Sequence, residues 1–195
     1  MARIAGVNIP TSKKVSIGLT YIHGIGQQTA TDICERASIE KDKRVNELLE
    51  TEIIKIKTLC KKDNRKFFLA NNIKIAIQLN LDGVYVPAFN KELKINYFAK
   101  KKKFKILGSA HNISEIRQKE NQRVNCIFLS PVFITKKSNK FLGIHKFNNL
   151  ANHTSKKIVC LGGIKKNNLK KIKLLNACGF SSVSLFKQNI KYIRF

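Results

Sequence analysis

Three stretches in the second half of the chain decide the fold: ILGSAHN at 106–112, CIFLSPVFIT at 126–135 and LGGI at 161–164. In each stretch an apolar run ends in small or polar residues, the pattern of a buried parallel strand followed by a turn. In a (β/α) barrel the carboxyl ends of such strands meet at one mouth, where ligands bind. Gly162 and Gly163 would let backbone N–H groups face a phosphate at that mouth, although paired glycines also simply turn a chain.

Around these stretches, apolar runs alternate with helical patterns from Arg65 onward. The predicted strands are Lys66–Ala70, Gly83–Ala88, Phe104–Ala110, Cys126–Phe133, Ile158–Ile164 and Ser182–Phe186. The predicted helices are Ile73–Asn80, Lys91–Lys101, Ile113–Arg123, Lys146–His153 and Asn168–Cys178. This alternation predicts an α/β fold with parallel strands, as either an open doubly wound sheet or part of a barrel. The strand ends favour an incomplete TIM-type (β/α) barrel of about six strands.

The same motifs carry a resemblance to a known family. In chain order they are DGVY at 82–85, ILGSAHN at 106–112, SPVF at 130–133 followed by Thr135, LG at 142–143 and GGI at 162–164. Their order and spacing resemble thiamine phosphate synthase and its TenI relatives, from about Glu52 to Phe186. The resemblance implies a transferase that joins a pyrimidine diphosphate to a thiazole phosphate with Mg²⁺ and releases pyrophosphate.

The resemblance also implies a site for thiazole phosphate or a similar phosphorylated small molecule. The residues it would place around that ligand are Ser109, Ser130, Thr135, Gly162 and Gly163. Lys137 is the first candidate for the loop lysine of the family, and Lys140 is the alternative.

Three departures from the family pattern lead us to expect a catalytically impaired barrel. The family's first two strands, with their Gln/Arg/Lys cluster for the diphosphate, are not present. Asn72 and Asn90 stand where the family has the carboxylates that bind Mg²⁺, and a neutral amide lacks their charge. Tyr85 replaces the usual His. Mg²⁺ is therefore expected only if the chain is active, and otherwise no cofactor is expected. An active thiamine phosphate synthase and a ligand-binding pseudoenzyme are the alternatives.

The first fifty-five residues carry a second resemblance. The stretches ARIAGVNIP at 2–10, LTYIHGIG at 19–26 and RVNEL at 44–48 resemble the thirteenth small-subunit ribosomal protein of bacteria. This predicts a small, mainly α, helix-turn-helix segment whose partners are rRNA and small-subunit ribosomal proteins. The rRNA-facing candidates are Arg3, Lys13, Lys14, Gly24, Ile25 and Gly26. A solvated lysine pair at 13–14 and a purely structural Gly-Ile-Gly turn are the alternatives, and the family's basic tail is missing.

We therefore predict two domains, a ribosomal-protein-like rRNA-binding segment at 1–55 and a partial barrel at 56–195. The junction lies within ETEIIKIK at 50–57, a helical pattern that suits both families. Because no Gly/Ser/Pro-rich linker separates the two parts, we hypothesise a hybrid reading frame. An rRNA-binding structural constituent of the small subunit is a further alternative for the whole chain.

Charge and cysteine content add little to these assignments. The net charge is +26, but residues 1–60 contribute only +2 of it. Since the excess is nearly all Lys, we interpret it as coding bias rather than selection for RNA binding. The five cysteines and four histidines show no metal-ligand or disulfide spacing, so we expect loop histidines and free thiols. With no signal-peptide or membrane-spanning pattern, we expect a cytoplasmic protein without membrane contact.

Overall fold

The computed structural model describes most of the chain. The described residues are 2–4, 7–9, 14–19, 27–40, 42–44, 47–62, 64, 66–98, 103–135, 139–182 and 185. The chain divides into two compact units, Met1–Tyr85 and Val86–Phe195, and each is described separately below.

In its described residues, the first unit contains a hairpin, a parallel strand pair and four helices. Its elements are β1 (Ala2–Ile4), β2 (Val7–Ile9), α1 (Val15–Leu19), α2 (Gln27–Arg36), α3 (Glu50–Lys62), β3 (Phe68–Ala70), α4 (Ile73–Gln78) and β4 (Gly83–Val86, which ends just beyond the unit). Strand β1 pairs antiparallel with both β2 and β3, whereas β3 and β4 are parallel. The hairpin at the start of the chain was not predicted, because its three-residue strands are too short to show a periodic pattern.

Helix α3 illustrates how local chemistry fixes the first unit. Glu50 and Glu52 lie in its first turn and Lys61 and Lys62 in its last, which complements the helix dipole. The buried Glu52 carboxylate accepts the Leu49 N–H at 2.8 Å and thereby caps one of the unpaired N–H groups at the helix start. The helix covers both sides of the predicted 55/56 domain boundary without a break, and that boundary stays a prediction.

The second unit is an α/β arrangement of four parallel strands. Its elements are β5 (Lys105–Ala110), α5 (Ile113–Asn121), β6 (Cys126–Leu129), α6 (Gly143–Asn152), β7 (Lys157–Leu161), α7 (Leu169–Ile172) and β8 (Gly179–Ser181), with 3₁₀ helices at Leu93–Phe98 and Lys166–Asn168. Strand β5 pairs with β6, β6 with β7, and β7 with β8, all in parallel. Within the described residues, two strands of the first unit and four of the second have a parallel neighbour in their own unit, which makes six, the number that the sequence predicts.

The core of the second unit lies between these strands and their helices. Ile106 on β5, Ile127 on β6 and Ile158 on β7 are buried, as are Ile116 on α5 and Phe147 on α6. Near-continuous apolar strands covered by helices are the expected form of a parallel sheet. No described helix has the length and apolarity that crossing a membrane would require.

Several predicted boundaries shift in the structure. Strand β6 ends at Leu129 rather than Phe133, because Pro131 has no N–H to continue the ladder. The predicted helix Lys91–Lys101 is a 3₁₀ helix, and Asn168–Cys178 shortens to α7. The last strand that the structure describes is Gly179–Ser181, and most of the predicted strand Ser182–Phe186 lies outside the described residues.

Candidate functional site

The carboxyl ends of β5, β6 and β7 lie side by side in the second unit. Ala110 is in register with Leu129, and Leu129 with Cys160, so the residues that follow these strands begin at one edge of the sheet. Ser109 and Ser130 are at this edge, with 7% and 8% of their surfaces exposed. The structure thus brings together the strand ends that the sequence predicted to form a mouth.

Ser130 forms a polar pair with His111 at this edge. The His111 Nδ1 lies 2.7 Å from the Ser130 backbone oxygen and 3.3 Å from its Oγ. Because a carbonyl oxygen only accepts, the proton lies on the His111 Nδ1, which donates to the Ser130 oxygen. Nε2 is then the other polar atom of the exposed ring. The backbone of Ser130 is fixed in turn, since its N–H donates to the Ala110 oxygen at 3.2 Å.

His111 is held in place by the start of α5. The Glu115 carboxylate accepts the His111 N–H at 2.7 Å, while the Asn112 side chain accepts the Glu115 N–H at 2.9 Å. These reciprocal bonds resemble a capping box and use the unpaired N–H groups of the helix start. Our sequence analysis assigned His111 to an unspecific loop and missed it. The signal that could have found it is its position directly after Ala110, the last residue of a strand.

Gly162 and Gly163 form the turn after β7, with positive φ angles of 97° and 70°. The loop after β6 packs directly on them: the Phe133 N–H donates to the Gly162 oxygen at 3.1 Å. A Cβ atom added at Gly163 would lie 2.4 Å from the Phe133 oxygen, and one at Gly162 would lie 2.7 Å from the Pro131 Cβ. Both glycines are therefore required for close approach of the two loops as well as for backbone conformation.

A buried lysine forms hydrogen bonds with the backbone of the loop after β4. Lys119 on α5 is fully buried, and its Nζ donates to the Pro87 oxygen at 2.7 Å, the Asn90 oxygen at 3.0 Å and the Gln122 Oε1 at 2.8 Å. Burial lowers the pKa of Lys119 to about 8, although Glu115 opposes that change. Sequence reasoning missed this network, because its members lie some thirty residues apart in the chain.

The remaining predicted ligand residues lie on the loop after β6. Thr135 is half-buried two residues beyond Phe133. Lys137 lies outside the described residues, whereas Lys140 is described and exposed. The assignment of a loop lysine stays a prediction.

The predicted metal positions do not fit a Mg²⁺ site. The Asn72 Oδ1 accepts the Ile75 N–H at 3.1 Å as the cap of α4, and the Asn90 Oδ1 accepts the Glu92 N–H at 2.8 Å. Each amide oxygen is therefore already engaged by the backbone and carries no net charge. Within the part of the chain that the structure describes, no cluster of three or more His, Cys, Asp or Glu side chains could hold a metal ion.

The predicted rRNA-facing residues are only partly described. Lys13 and Gly24–Gly26 lie outside the described residues, and of Arg3 the structure describes the backbone, in register with Asn8. Lys14 is exposed and forms an ion pair with Asp42. The Lys14 side chain thus has a carboxylate partner at the protein surface. A phosphate would have to compete with Asp42 for it.

Comparisons with known proteins agree with the geometry of the strands. A family model described as thiamine monophosphate synthase matches residues 39–186, beginning inside the segment that we assigned to the first domain. The thiamine phosphate pyrophosphorylase from Pyrococcus furiosus superposes with a TM-score of 0.58 at 16% identity, over 73% of this chain and 71% of that one.

A second kind of structure shares the arrangement of strands. FabK from Thermotoga maritima superposes with a TM-score of 0.55 at 12% identity, over 69% of this chain and 47% of that chain. A point mutant of FabK gives 0.56 at 12% identity, over 69% and 49%. The chain thus spans about half the length of FabK. At these identities the similarity concerns the fold alone, and it confirms the predicted barrel-type α/β fold class.

Proposed function

The chain belongs to the thiamine monophosphate synthase family, and we propose that it binds a thiazole phosphate, or a similar phosphorylated small molecule, where β5, β6 and β7 end. The observation that carries this proposal is the meeting of the Ser130–His111 pair with the Gly162–Gly163 turn at one edge of the second unit.

The chemistry of this edge suits an anion. A hydroxyl and backbone N–H groups are hydrogen-bond donors, and such donors at the end of a barrel strand commonly bind phosphate, while the His111 ring fixes the Ser130 backbone beside them. Residues 121–195 contain no Asp or Glu at all, so β6, β7 and the loops after them bring no carboxylate to oppose the ligand. Glu115, which lies near His111, is engaged with the backbone.

We further propose that the chain binds its ligand without efficient turnover. The neutral amides of Asn72 and Asn90 support this reading, since both oxygens already accept backbone N–H groups. An active synthase is the competing proposal. Incubating the protein with both phosphorylated substrates and Mg²⁺, and measuring thiamine phosphate by chromatography, separates the two. Sustained product formation would defeat the impaired reading.

Isothermal titration calorimetry with thiazole phosphate tests the binding site. We expect Ser130→Ala and His111→Asn each to weaken binding by at least fivefold, because each removes from the protein one polar group that would face the ligand. His153→Asn is the matched control, since His153 is an exposed histidine at the end of α6. Equal affinity for His111→Asn, His153→Asn and the unaltered chain would refute the site.

For residues 1–55 we propose a separate activity, contact with small-subunit rRNA and its neighbouring proteins. The support is the sequence resemblance, together with the start of α2 at Gln27, directly after Gly24–Gly26. Replacing Gly24 and Gly26 by Val should abolish retention of a small-subunit rRNA fragment in a filter-binding assay. Unchanged retention would end the rRNA proposal.

The hybrid-frame hypothesis has a separate test, which is to read the junction in a single long DNA molecule from the source. An intact junction in that molecule would contradict the hypothesis.

A further inference from the structure

A cavity of the second unit adjoins the proposed ligand site, and Gly163 lines both. The cavity has a volume of about 290 Å³ and lies between the loop after β6 and the segment that follows β7. Its wall combines the rings of Phe133 and Phe141 with the cations of Lys165 and Lys171 and the amide of Asn167. We call this feature the β7 cavity. Its volume is near the lower end of the roughly 300–1,000 Å³ that small-molecule cavities usually have, so it accommodates one ring rather than a long ligand.

The floor of the β7 cavity is fixed by Asn168. Its side-chain amide donates to the Gly163 oxygen at 2.9 Å and accepts the Lys165 N–H at 2.8 Å. The backbone that carries Lys165 is therefore tied to the end of β7. An arrangement held in this way loses less conformational freedom when a ligand binds.

Exposed apolar surface and free cations occur together here. Phe141 is 47% exposed, and so offers a ring face to solvent. Lys165 and Lys171 are exposed, and no ion pair with a carboxylate is found for either within the described residues. Stacking rings combined with unpaired cations are the usual means by which proteins bind single-stranded nucleic acid.

The charge extends well beyond the cavity. Residues 121–195 contain fifteen Lys and Arg and no Asp or Glu. Lys166 and Lys170 are exposed on the same segment as Lys165 and Lys171. These four exposed lysines exceed what a single phosphate needs, and they complement a chain of phosphates.

We propose that the β7 cavity and the lysines beside it bind single-stranded nucleic acid, with a base against Phe141 and neighbouring phosphates on Lys165 and Lys171. The total lysine excess does not by itself point to such a partner. The placement of two lysines at the rim of an aromatic cavity does. Asn167, which is exposed at the same cavity, supplies a donor and an acceptor for the edge of the base.

Fluorescence anisotropy with a fluorescein-labelled single-stranded RNA of about twelve pyrimidine nucleotides tests this proposal on the full chain. We expect Lys165→Glu/Lys171→Glu to weaken binding by at least tenfold. The slope of log affinity against log salt should become shallower by about 1.4, because single strands contribute about 0.7 for each phosphate contact. Phe141→Ala should weaken binding about fivefold or more and leave that slope unchanged, since stacking does not depend on counterions.

The matched control is Lys105→Glu/Lys157→Glu. It changes the net charge equally, but at the amino ends of β5 and β7, where both lysines are exposed. We expect its affinity to stay within about threefold of the unaltered chain. Equal losses in the two double variants would overturn the proposal, as would undetectable RNA binding at 50 mM salt.

Two further measurements test this proposal. Because Gly163 lines the β7 cavity as well as the proposed ligand site, excess thiazole phosphate should weaken RNA binding, and RNA binding that the ligand leaves unchanged would place the RNA elsewhere and overturn the proposal. Lys165→Gln/Lys171→Gln repeats the test without introducing negative charge. Each variant is compared by far-UV circular dichroism, so that a folding defect is recognised.

Discussion

The buried amino group of Lys119 gives the sharpest prediction about the second unit. Lys119 has no exposed surface, and it donates to the Pro87 oxygen, the Asn90 oxygen and the Gln122 Oε1. Replacing it by Met removes all three bonds. The Asn90 oxygen keeps its bond from the Gln122 Nε2 at 2.9 Å, and the Pro87 oxygen keeps its bond from the Asn90 N–H at 3.1 Å, so one acceptor, the Gln122 Oε1, loses its partner.

The magnitude at neutral pH follows from this one acceptor. A buried acceptor without a partner costs about 1–3 kcal/mol. The Met side chain preserves the apolar contact with Gly108, where an added Cβ would lie 2.9 Å from the Lys119 Cδ. We therefore expect Lys119→Met to lower the free energy of unfolding by about 1–3 kcal/mol at pH 7. Urea unfolding followed by circular dichroism measures this change.

The pH dependence provides an independent check. The pKa of Lys119 is about 8 in the folded chain and 10.5 as the ordinary value. Between these values the unfolded chain binds more protons than the folded chain, so the free energy of unfolding rises with pH. Over this window Lys119 should add about 3 kcal/mol to the folded state, at about 1.4 kcal/mol for each pH unit.

The comparison of Lys119→Met with the unaltered chain isolates this contribution, because other titrating groups cancel. We expect the stability difference between the two proteins to widen from pH 8 to pH 10.5. Lys105→Met is the control, since Lys105 is exposed at the start of β5, and its difference should stay constant. A stability difference for Lys119→Met that is the same at every pH would show that burial does not lower the pKa of Lys119.

Two further predictions concern the strand ends and the thiols. Burial raises the pKa of Cys126 and of Cys160 to about 12, whereas Cys178 is exposed. Iodoacetamide at pH 8 should therefore modify Cys178 at least tenfold faster, as followed by mass spectrometry, and equal rates would contradict this. Gly163→Ala should lower the free energy of unfolding by more than about 2 kcal/mol, because its φ is positive and its Cβ would collide with the Phe133 oxygen. Gly179→Ala, where nothing lies within 4 Å of the added atom, should change it little, and a similar loss in both would contradict the packing argument.

The sequence predicted the parallel strands well because burial on both faces leaves a continuous apolar run. Residues 105–110 and 126–129 are such runs, and both form strands. The last strand was placed on the apolar run that follows Ser182, whereas the last strand that the structure describes is Gly179–Ser181. Pairing with β7, rather than local apolarity, decides this position, and a periodicity argument does not contain that information.

The candidate site was predictable in its backbone and less so in its polar contacts. Gly162 and Gly163 were found because only glycine suits such a turn. The partnership of His111 with Ser130 joins residues nineteen positions apart, and Lys119 reaches a loop still further away. Such contacts depend on the register of neighbouring strands and helices, which spacing along the chain does not specify.

A crystal structure of the full chain with bound thiazole phosphate would locate the ligand. We expect the phosphate within hydrogen-bonding distance of the Gly162–Gly163 backbone, with the ring toward Ser130 and His111. Phosphate density against Phe141 and Lys171, or no ligand density at either place at saturating ligand, would refute the proposed ligand site.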